Sequence, residues 1–358
     1  MSESITSSEK PASPARDEAI RAAFRMQARH CVATGSPLTA QVVGTLADML
    51  DRSTRTGARI LDWPGDPMVD ALKLRIAGGL NALARMGGDA QLTAFYRERQ
   101  GDCTALLRRI LSDHDDWLLP WLDNAPQTNE VGRSAVLWPG VMAVAARFGP
   151  QVELLELGAS GGLNLNMDRF GYDLGAARSG DPASSVQLTP HWSGPPPVSA
   201  AVDVVSRAGV DLNPLDMTDP ATAERMLAYI WPDQHDRVAR AEGAISIAQH
   251  FPPPVDRGDG AEWIEQRLAK PQAAGVTRIL YHSVALQYFP DEGRDRVHQA
   301  IIAAAARATP ERPFAWLSME FHDQIAQAEV RLTTWPGDGR HQLLARCHPH
   351  GAQVEWLG

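Results

Sequence analysis

Residues 152–165 read VELLELGASGGLNL. A mostly apolar run of strand length carries Glu156 two residues before it stops at Gly158. Ala159, Ser160, Gly161 and Gly162 then form a bare turn, after which apolar spacing resumes at Leu163 as if a helix began. A strand, a glycine turn and a helix together offer main-chain N–H groups and a positive helix end to a polar or anionic ligand. The bland alternative is a tight turn in any α/β protein. Glu156 favours a site, because a buried parallel strand is normally apolar throughout. The spacing is not the dinucleotide pattern G-x-G-x-x-G, since Ser160 stands two places after Gly158.

Other residues of the right type follow strand-like runs. AGVDLNP ends in Asp211, a carboxylate able to accept two sugar hydroxyls. It lies 211 − 158 = 53 residues beyond Gly158, against roughly 20 in a compact unit, so an insertion over about residues 171–200 intervenes. Asp173, inside that insertion, is the competing sugar ligand, and Asp211 is preferred. TRILYHSVALQYFP places His282 and Tyr288 after a further strand, where a histidine can take a proton near neutral pH. A hydrogen-bonded core histidine is the alternative. Glu320, in WLSMEFHD, is a second carboxylate expected to face the cleft. Glu130 and Arg133, in TNEVGRS, precede the helix leading into the first strand, where a surface ion pair is the bland reading. His341, His348 and His350 with Cys347 match no defined zinc spacing, so no metal is expected.

The elements that position these residues fall into two rhythms. Residues 17–125 show helical periodicity, as in Ile20, Phe24, Gln27 and Cys31, and read as an N-terminal helical region. Residues 126–358 alternate short apolar runs with helix-length stretches, the pattern of a mostly parallel sheet, and end in an antiparallel hairpin. Residues 1–16 are polar and rich in proline and serine, and are expected to form a disordered tail. A formal net charge of −9 argues against nucleic acid as the partner. No apolar run is long enough to predict a membrane span. The three cysteines, odd in number and far apart, fit reduced thiols and a cytoplasmic location. Oligomeric state is not legible.

ELLELGASGG resembles the first motif of class I S-adenosylmethionine-dependent methyltransferases, E/D-x-G-x-G-x-G, with Ser160 in place of the middle glycine. The resemblance implies a Rossmann-like α/β core with S-adenosylmethionine as cofactor. Gly158, Ala159, Ser160, Gly161, Gly162 and Asn164 would then face its methionine portion and ribose. Glu156 would hold the ammonium end, Asp211 the ribose hydroxyls, and Asp259, with Gly260, the adenine. An N-cap role for Asp259 is the alternative. Glu130 and Arg133 would close over the cofactor, and His282, Tyr288 and Glu320 would face a small-molecule methyl acceptor. Together with AGVDLNPLD, YIWPDQHDR, YHSVALQYF, AWLSMEF and the last hairpin, the motif is also similar to an uncharacterised bacterial family, the domain of unknown function numbered twenty-three thirty-two. The expectation is a cytoplasmic methyltransferase. The rivals are a non-catalytic cofactor-binding or regulatory module and, less favoured, a nicotinamide-dependent oxidoreductase.

Overall fold

The structure, a computed structural model, describes residues 14–321 and 327–358. Of the expected tail, residues 1–13 lie outside the described residues, and Pro14 to Arg16 already belong to the first helix. The chain forms two compact units, one reaching to Thr128 and including Glu224–Val238, the other made of Asn129–Ala223 and Ala239–Gly358.

The first unit is helical: α1 Pro14–Ala33, α2 Pro37–Met49, α3 Arg55–Leu61, α4 Leu72–Arg85, α5 Ala90–Glu98, α6 Cys103–Asp113 and α7 Asp115–Leu118. Apolar residues at helical spacing, among them Phe24, Val43, Leu46, Ile60, Ile76, Leu80, Leu107 and Ile110, meet in one core. Thr54, Asp89 and Asp102 cap α3, α5 and α6 by accepting main-chain N–H groups. The second piece, Glu224–Val238, joins this unit although its sequence reads as part of the α/β region. Tyr229 packs edge-on to Trp121 and against Gly78, where a Cβ would come within 2.6 Å of its ring. Asn81 Nδ2 donates to the carbonyls of Ala228 and Ile230 at 2.9 and 3.0 Å. The Asp233 carboxylate, 2% exposed, accepts from the N–H groups of Leu38 and Thr39, from Thr39 Oγ1, and from Arg99. Ser36, the N-cap of α2, makes no side-chain cap bond. Asp233 therefore satisfies the open amides at that helix start from nearly two hundred residues away in sequence.

The second unit begins with α8 Ser134–Phe148 and β1 Gln151–Leu157, followed by β2 Gly171–Leu174, β3 Ala177–Gly180, β4 Gln187–Leu188, β5 His191–Ser193 and β6 Asp203–Asp211. After α9 Pro220–Ala228 and α10 His235–His250 come β7 Val255–Arg257, α11 Gly260–Ala269, β8 Thr277–Ser283, α12 Asp291–Ala305, β9 Phe314–Phe321, β10 Ala328–Trp335, β11 Gln342–Cys347 and β12 Gln353–Trp356. Nine strands form one sheet in the order β5-β12-β11-β10-β9-β8-β1-β6-β7. The stretch from β9 to β7 is parallel throughout, β9, β10 and β11 each run antiparallel to the strand that follows, and β5 lies parallel to β12. The architecture is thus α/β with a large, mostly parallel central sheet. The insertion supplies a separate small sheet, β3-β2-β4, and the edge strand β5.

Chain order reverses between β1 and β8, since β6 and β7 follow β1 on one side while β8 and β9 lie on the other. Ligands of open α/β sheets bind outside the carboxyl ends of the strands at such a switch point. Alternation assigns the two faces. Leu155, Leu157, Val210, Leu280 and Phe314 pack with residues of α11 and α12. Their neighbours Glu156 and Tyr281 therefore face the opposite side, as does Leu317, which lies against Gly140 of α8.

Candidate functional site

Pairing of β1 with β8 sets Glu156 beside Tyr281, and the tyrosine hydroxyl donates to Glu156 Oε2 at 3.1 Å. Glu156 is 1% exposed. Burial pushes its carboxyl up to about 8, against the lowering effects of the Tyr281 hydrogen bond and the nearby Arg133 charge and with a further raising effect from Asp211. Burial and the Glu156 charge likewise push Tyr281 well above its ordinary value. Arg133, close enough to act on Glu156, donates from Nη1 to the Ser283 carbonyl at 2.8 Å and from Nε to the Pro349 carbonyl. It thereby ties the end of β8 to the β11–β12 turn. Glu130 caps the short 3-10 turn Val131–Arg133 through the Gly132 N–H. Asn164 accepts from Ser134 Oγ and donates to the Glu130 carbonyl. Glu130, Arg133, Glu156 and Asn164 are thus brought together below the turn that follows β1.

That turn differs from the expectation in one respect that decides its chemistry. The N–H groups of Gly158 and Ala159 both donate to the Val210 carbonyl at 3.0 Å, Ser160 N–H donates to Asp211 Oδ2 at 2.9 Å, and Gly162 N–H donates to Ala159 O. Leu163 N–H is held by Asn129 Oδ1. The segment after the turn, Leu163–Arg169, is a 3-10 helix, so the expected α-helix start with its array of open donors is replaced by amides already engaged within the protein. Nor are all the glycines bare. A Cβ on Gly161 would meet Met217 at 3.1 Å, and one on Gly162 would meet Pro253 and Val255 at 2.7 and 2.8 Å. Gly158, with φ +69°, is exposed, and a Cβ there would meet Ala285 at 2.7 Å. At the carboxyl ends of β1 and β6 stand two acceptors, Glu156 and Asp211, beside a turn in which the N–H groups of Gly158, Ala159, Ser160 and Gly162 are occupied.

Asp211 stands where the sequence reading placed it: it braces the turn through Ser160 and its own loop through the Asn213 N–H. Asp173 pairs with Arg178 in the small sheet, remote in topology from the β1 and β6 ends. Asp259 is the N-cap of α11, accepting from Glu262 N–H at 2.9 Å, and a Cβ on Gly260 would meet the Phe289 ring at 2.6 Å. The capping alternative describes Asp259, and no contact draws it toward Asp211.

At the ends of β8 and β9 the three residues expected to face the acceptor behave differently from one another. The Trp316 indole N–H, which can only donate, reaches His282 Nε2 at 3.0 Å. That nitrogen is therefore an acceptor, and Nδ1 carries the proton and donates to Glu320 Oε1 at 2.6 Å. Both nitrogens of the buried His282 are thus engaged, which corrects the picture of a base open to the cleft: His282 positions Glu320. Glu320 Oε1 also accepts from the N–H groups of Ala285 and Leu286 at 3.0 and 3.1 Å. Burial pushes the Glu320 carboxyl up, yet the His282 hydrogen bond and the two amides outweigh this and hold it below the usual range. Tyr288, 76% exposed, projects from the next turn. His282 and Glu320 share the α12 face of the sheet, opposite Glu156.

The sequence reading passed over Trp316, the Arg207–Asp168 ion pair at 2.7 Å, and Val284. The partnership of Tyr281 with Glu156 depends on strand register, which no local sequence signal gives. Ser160 and Val284 have φ of +54° and +50°, so non-glycine residues hold left-handed backbone in the turns that follow both strands flanking the switch point. For a β-branched residue this costs on the order of 1–2 kcal/mol. Val284→Asn, which tolerates this conformation, is expected to change stability by less than about 1 kcal/mol, whereas Val152→Asn in the buried β1 is expected to cost about 3 kcal/mol. Urea unfolding of both variants checks this, and equal losses would remove the backbone strain from the account.

His341 Nδ1 pairs with Thr333 Oγ1, and His348 Nδ1 accepts from the His350 N–H. Among the described residues no group of three or more His, Cys, Asp and Glu side chains is placed to hold a metal ion, and no helix is long and apolar enough to cross a membrane. Over residues 21–356 the chain matches, and so belongs to, a family described as an uncharacterised protein conserved in bacteria (DUF2332). It matches no curated protein.

Proposed function

We propose that this member of the uncharacterised bacterial family is a methyltransferase that uses S-adenosylmethionine to modify a small molecule. The observation that carries the reading is the acceptor-rich turn at the switch point, where the buried Glu156 carboxyl and the Asp211 carboxylate flank a loop in which the amides of Gly158, Ala159, Ser160 and Gly162 are engaged. Such a surface favours hydrogen-bond donors and cations and disfavours a pyrophosphate, which needs open N–H groups. S-adenosylmethionine presents two ribose hydroxyls, an ammonium group and a sulfonium, and carries no phosphate. Asp211 would take the hydroxyls and Glu156 the ammonium end. The same feature counts against the nicotinamide-dependent alternative. When bound, the cofactor supplies an activated methyl group, and the protein's part is alignment of donor and acceptor, which accounts for most of the acceleration in such a displacement.

A second reading, a cofactor-binding or regulatory module without transfer, draws support from Met217, Pro253 and Val255 lying over Gly161 and Gly162. Calorimetric titration with S-adenosylhomocysteine tests both. The parent chain is expected to bind in the micromolar range, and Asp211→Ala to bind at least about tenfold more weakly while losing about 1–3 kcal/mol of stability through the freed Ser160 amide. Absence of heat at millimolar ligand would remove both readings. Binding without methyl transfer to any of a panel of small amines, thiols and alcohols would favour the second.

A further inference from the structure

At the amino ends of β8 and β9 the sheet carries a second concave surface. Arg278 stands near the start of β8, Phe314 opens β9, and the two are register partners. Beside them α11 and α12 come to their ends, at Ala269 and Ala305. These elements border a cavity of about 310 Å3 with an apolar wall that includes Leu268, Pro271, Ala304 and Phe314. Its charged lining is of one sign: Lys270, Arg278, Arg307 and Arg312 border it, and no carboxylate does. Cations gathered at helix C-termini commonly serve to hold the last carbonyls, and that role accounts for part of the lining. Arg278 pairs with Glu153 at 2.6 Å and donates to the Lys270 carbonyl at 3.1 Å. Arg307 Nη2 donates to the Leu268 carbonyl and Arg312 Nε to the Gln272 carbonyl, both at 2.9 Å. Capping leaves a surplus. Among the described residues, Nε and Nη1 of Arg307, both Nη atoms of Arg312 and Nζ of Lys270 make no hydrogen bond and no ion pair. Nearby carboxylates do not absorb it. Glu153 is taken by Arg278, and Asp256, which feels the Lys270 charge, is bonded to Trp263 and paired with Arg267. Glu311 precedes Arg312 in the chain but does not line the cavity. Three cations with spare donors exceed what one carboxylate, with a single charge and two oxygens, can satisfy. They match the double charge and three terminal oxygens of a phosphate monoester. The cavity is also far larger than a phosphate, and about 310 Å3 is within the range of small-molecule pockets, so the apolar wall has room for an organic body.

We infer that this cavity binds a small organic phosphate monoester, with Lys270, Arg307 and Arg312 on the phosphate and Leu268, Pro271, Ala304 and Phe314 against the organic body. The site is independent of the transferase reading. Strands β1, β8 and β9 are parallel, so their amino ends lie at the edge of the sheet opposite the turn flanked by Glu156 and Asp211.

The test is calorimetry on the full chain, using phenyl phosphate, inorganic phosphate and phenol as probes. Phenyl phosphate is expected to bind with a Kd below about 1 mM, inorganic phosphate to bind at least about threefold more weakly, and phenol not to bind. Lys270→Gln, at an exposed position with no side-chain hydrogen bond to lose, is expected to weaken phenyl phosphate about threefold or more with an unchanged melting temperature. Arg307→Gln combined with Arg312→Gln is expected to weaken it at least about tenfold. Arg178→Gln, which removes an exposed arginine of the small sheet, is expected to bind as the parent chain does. No heat at about 10 mM phenyl phosphate, equal affinity for phenol, inorganic phosphate bound as tightly as the ester, or affinity unaltered in both Lys270→Gln and the double variant overturns the inference. Equal weakening in Arg178→Gln also overturns it, since the attraction would then belong to any surface cation. If the double variant does not fold, Lys270→Gln decides alone.

Discussion

Glu156→Gln is expected to equal the parent chain in stability near pH 4.5 and to exceed it increasingly up to pH 8. In the folded chain the Glu156 carboxyl keeps its proton to about pH 8, whereas its ordinary value is 4.5. A group raised in this way contributes full stability below its unfolded value, and that contribution is lost as pH rises through the folded one. The span is 8 − 4.5 = 3.5 units, which at about 1.4 kcal/mol per unit gives roughly 5 kcal/mol as an upper bound. Glutamine does not titrate and can still accept from the Tyr281 hydroxyl, so the difference between variant and parent isolates this one group. Urea unfolding at pH 5, 6, 7 and 8 measures it. A difference that stays flat with pH would mean that Glu156 is ionised in the native chain, with a cationic partner close enough to keep it so. The same proton links stability to the proposed ligand: an ammonium group arriving beside Glu156 would displace up to about one proton at pH 7, visible as a binding heat that varies with the ionisation heat of the buffer.

The second large effect belongs to the helical unit. Asp233→Ala is expected to destabilise the protein by about 2–4 kcal/mol, since it removes the acceptor for the Leu38 and Thr39 amides, the Thr39 hydroxyl and Arg99 at once. Asp233→Asn is expected to recover part of the loss, because its amide oxygen can still cap α2 while its charge is gone. The melting temperature reads both. Should the alanine variant melt with the parent, the segment Glu224–Val238 would be held by its other contacts, among them Tyr229, Asn81 and the Arg85–Glu224 ion pair, and the cap would be incidental.

Asp233 also marks what a sequence can and cannot disclose. In WPDQHDR it looks like one more polar residue ahead of a helix, and nothing local tells that its partners are residues 38 and 39. By contrast β1, β8 and β9 were readable, because strands buried on both faces are continuous apolar runs, and Glu156 stood out against that background. Asp211 was readable as the end of the β6 run. The register that brings Tyr281 to Glu156 was not, since a parallel neighbour is fixed by crossovers far away in the chain. Nor could the turn's hydrogen bonding be read: glycines permit an open nest of amides and a closed one equally, and the Val210 carbonyl selects the closed form. Asp259 carried a usable signal that pointed elsewhere, for Asp followed three residues later by Glu262 is the mark of a helix start.

Both margins of the nine-stranded sheet end in segments of only three residues, β5 and β7. A margin that short gives another chain few unpaired peptide groups to dock against, which guards a broad apolar sheet against fibre growth and stacking between molecules. The long loop excursion that delivers β5 to its place thus acts as a selvedge. Deleting it would uncover β12, whose Val354 and Trp356 are buried and would then border an open edge, and the shortened protein is the form in which self-association is to be sought.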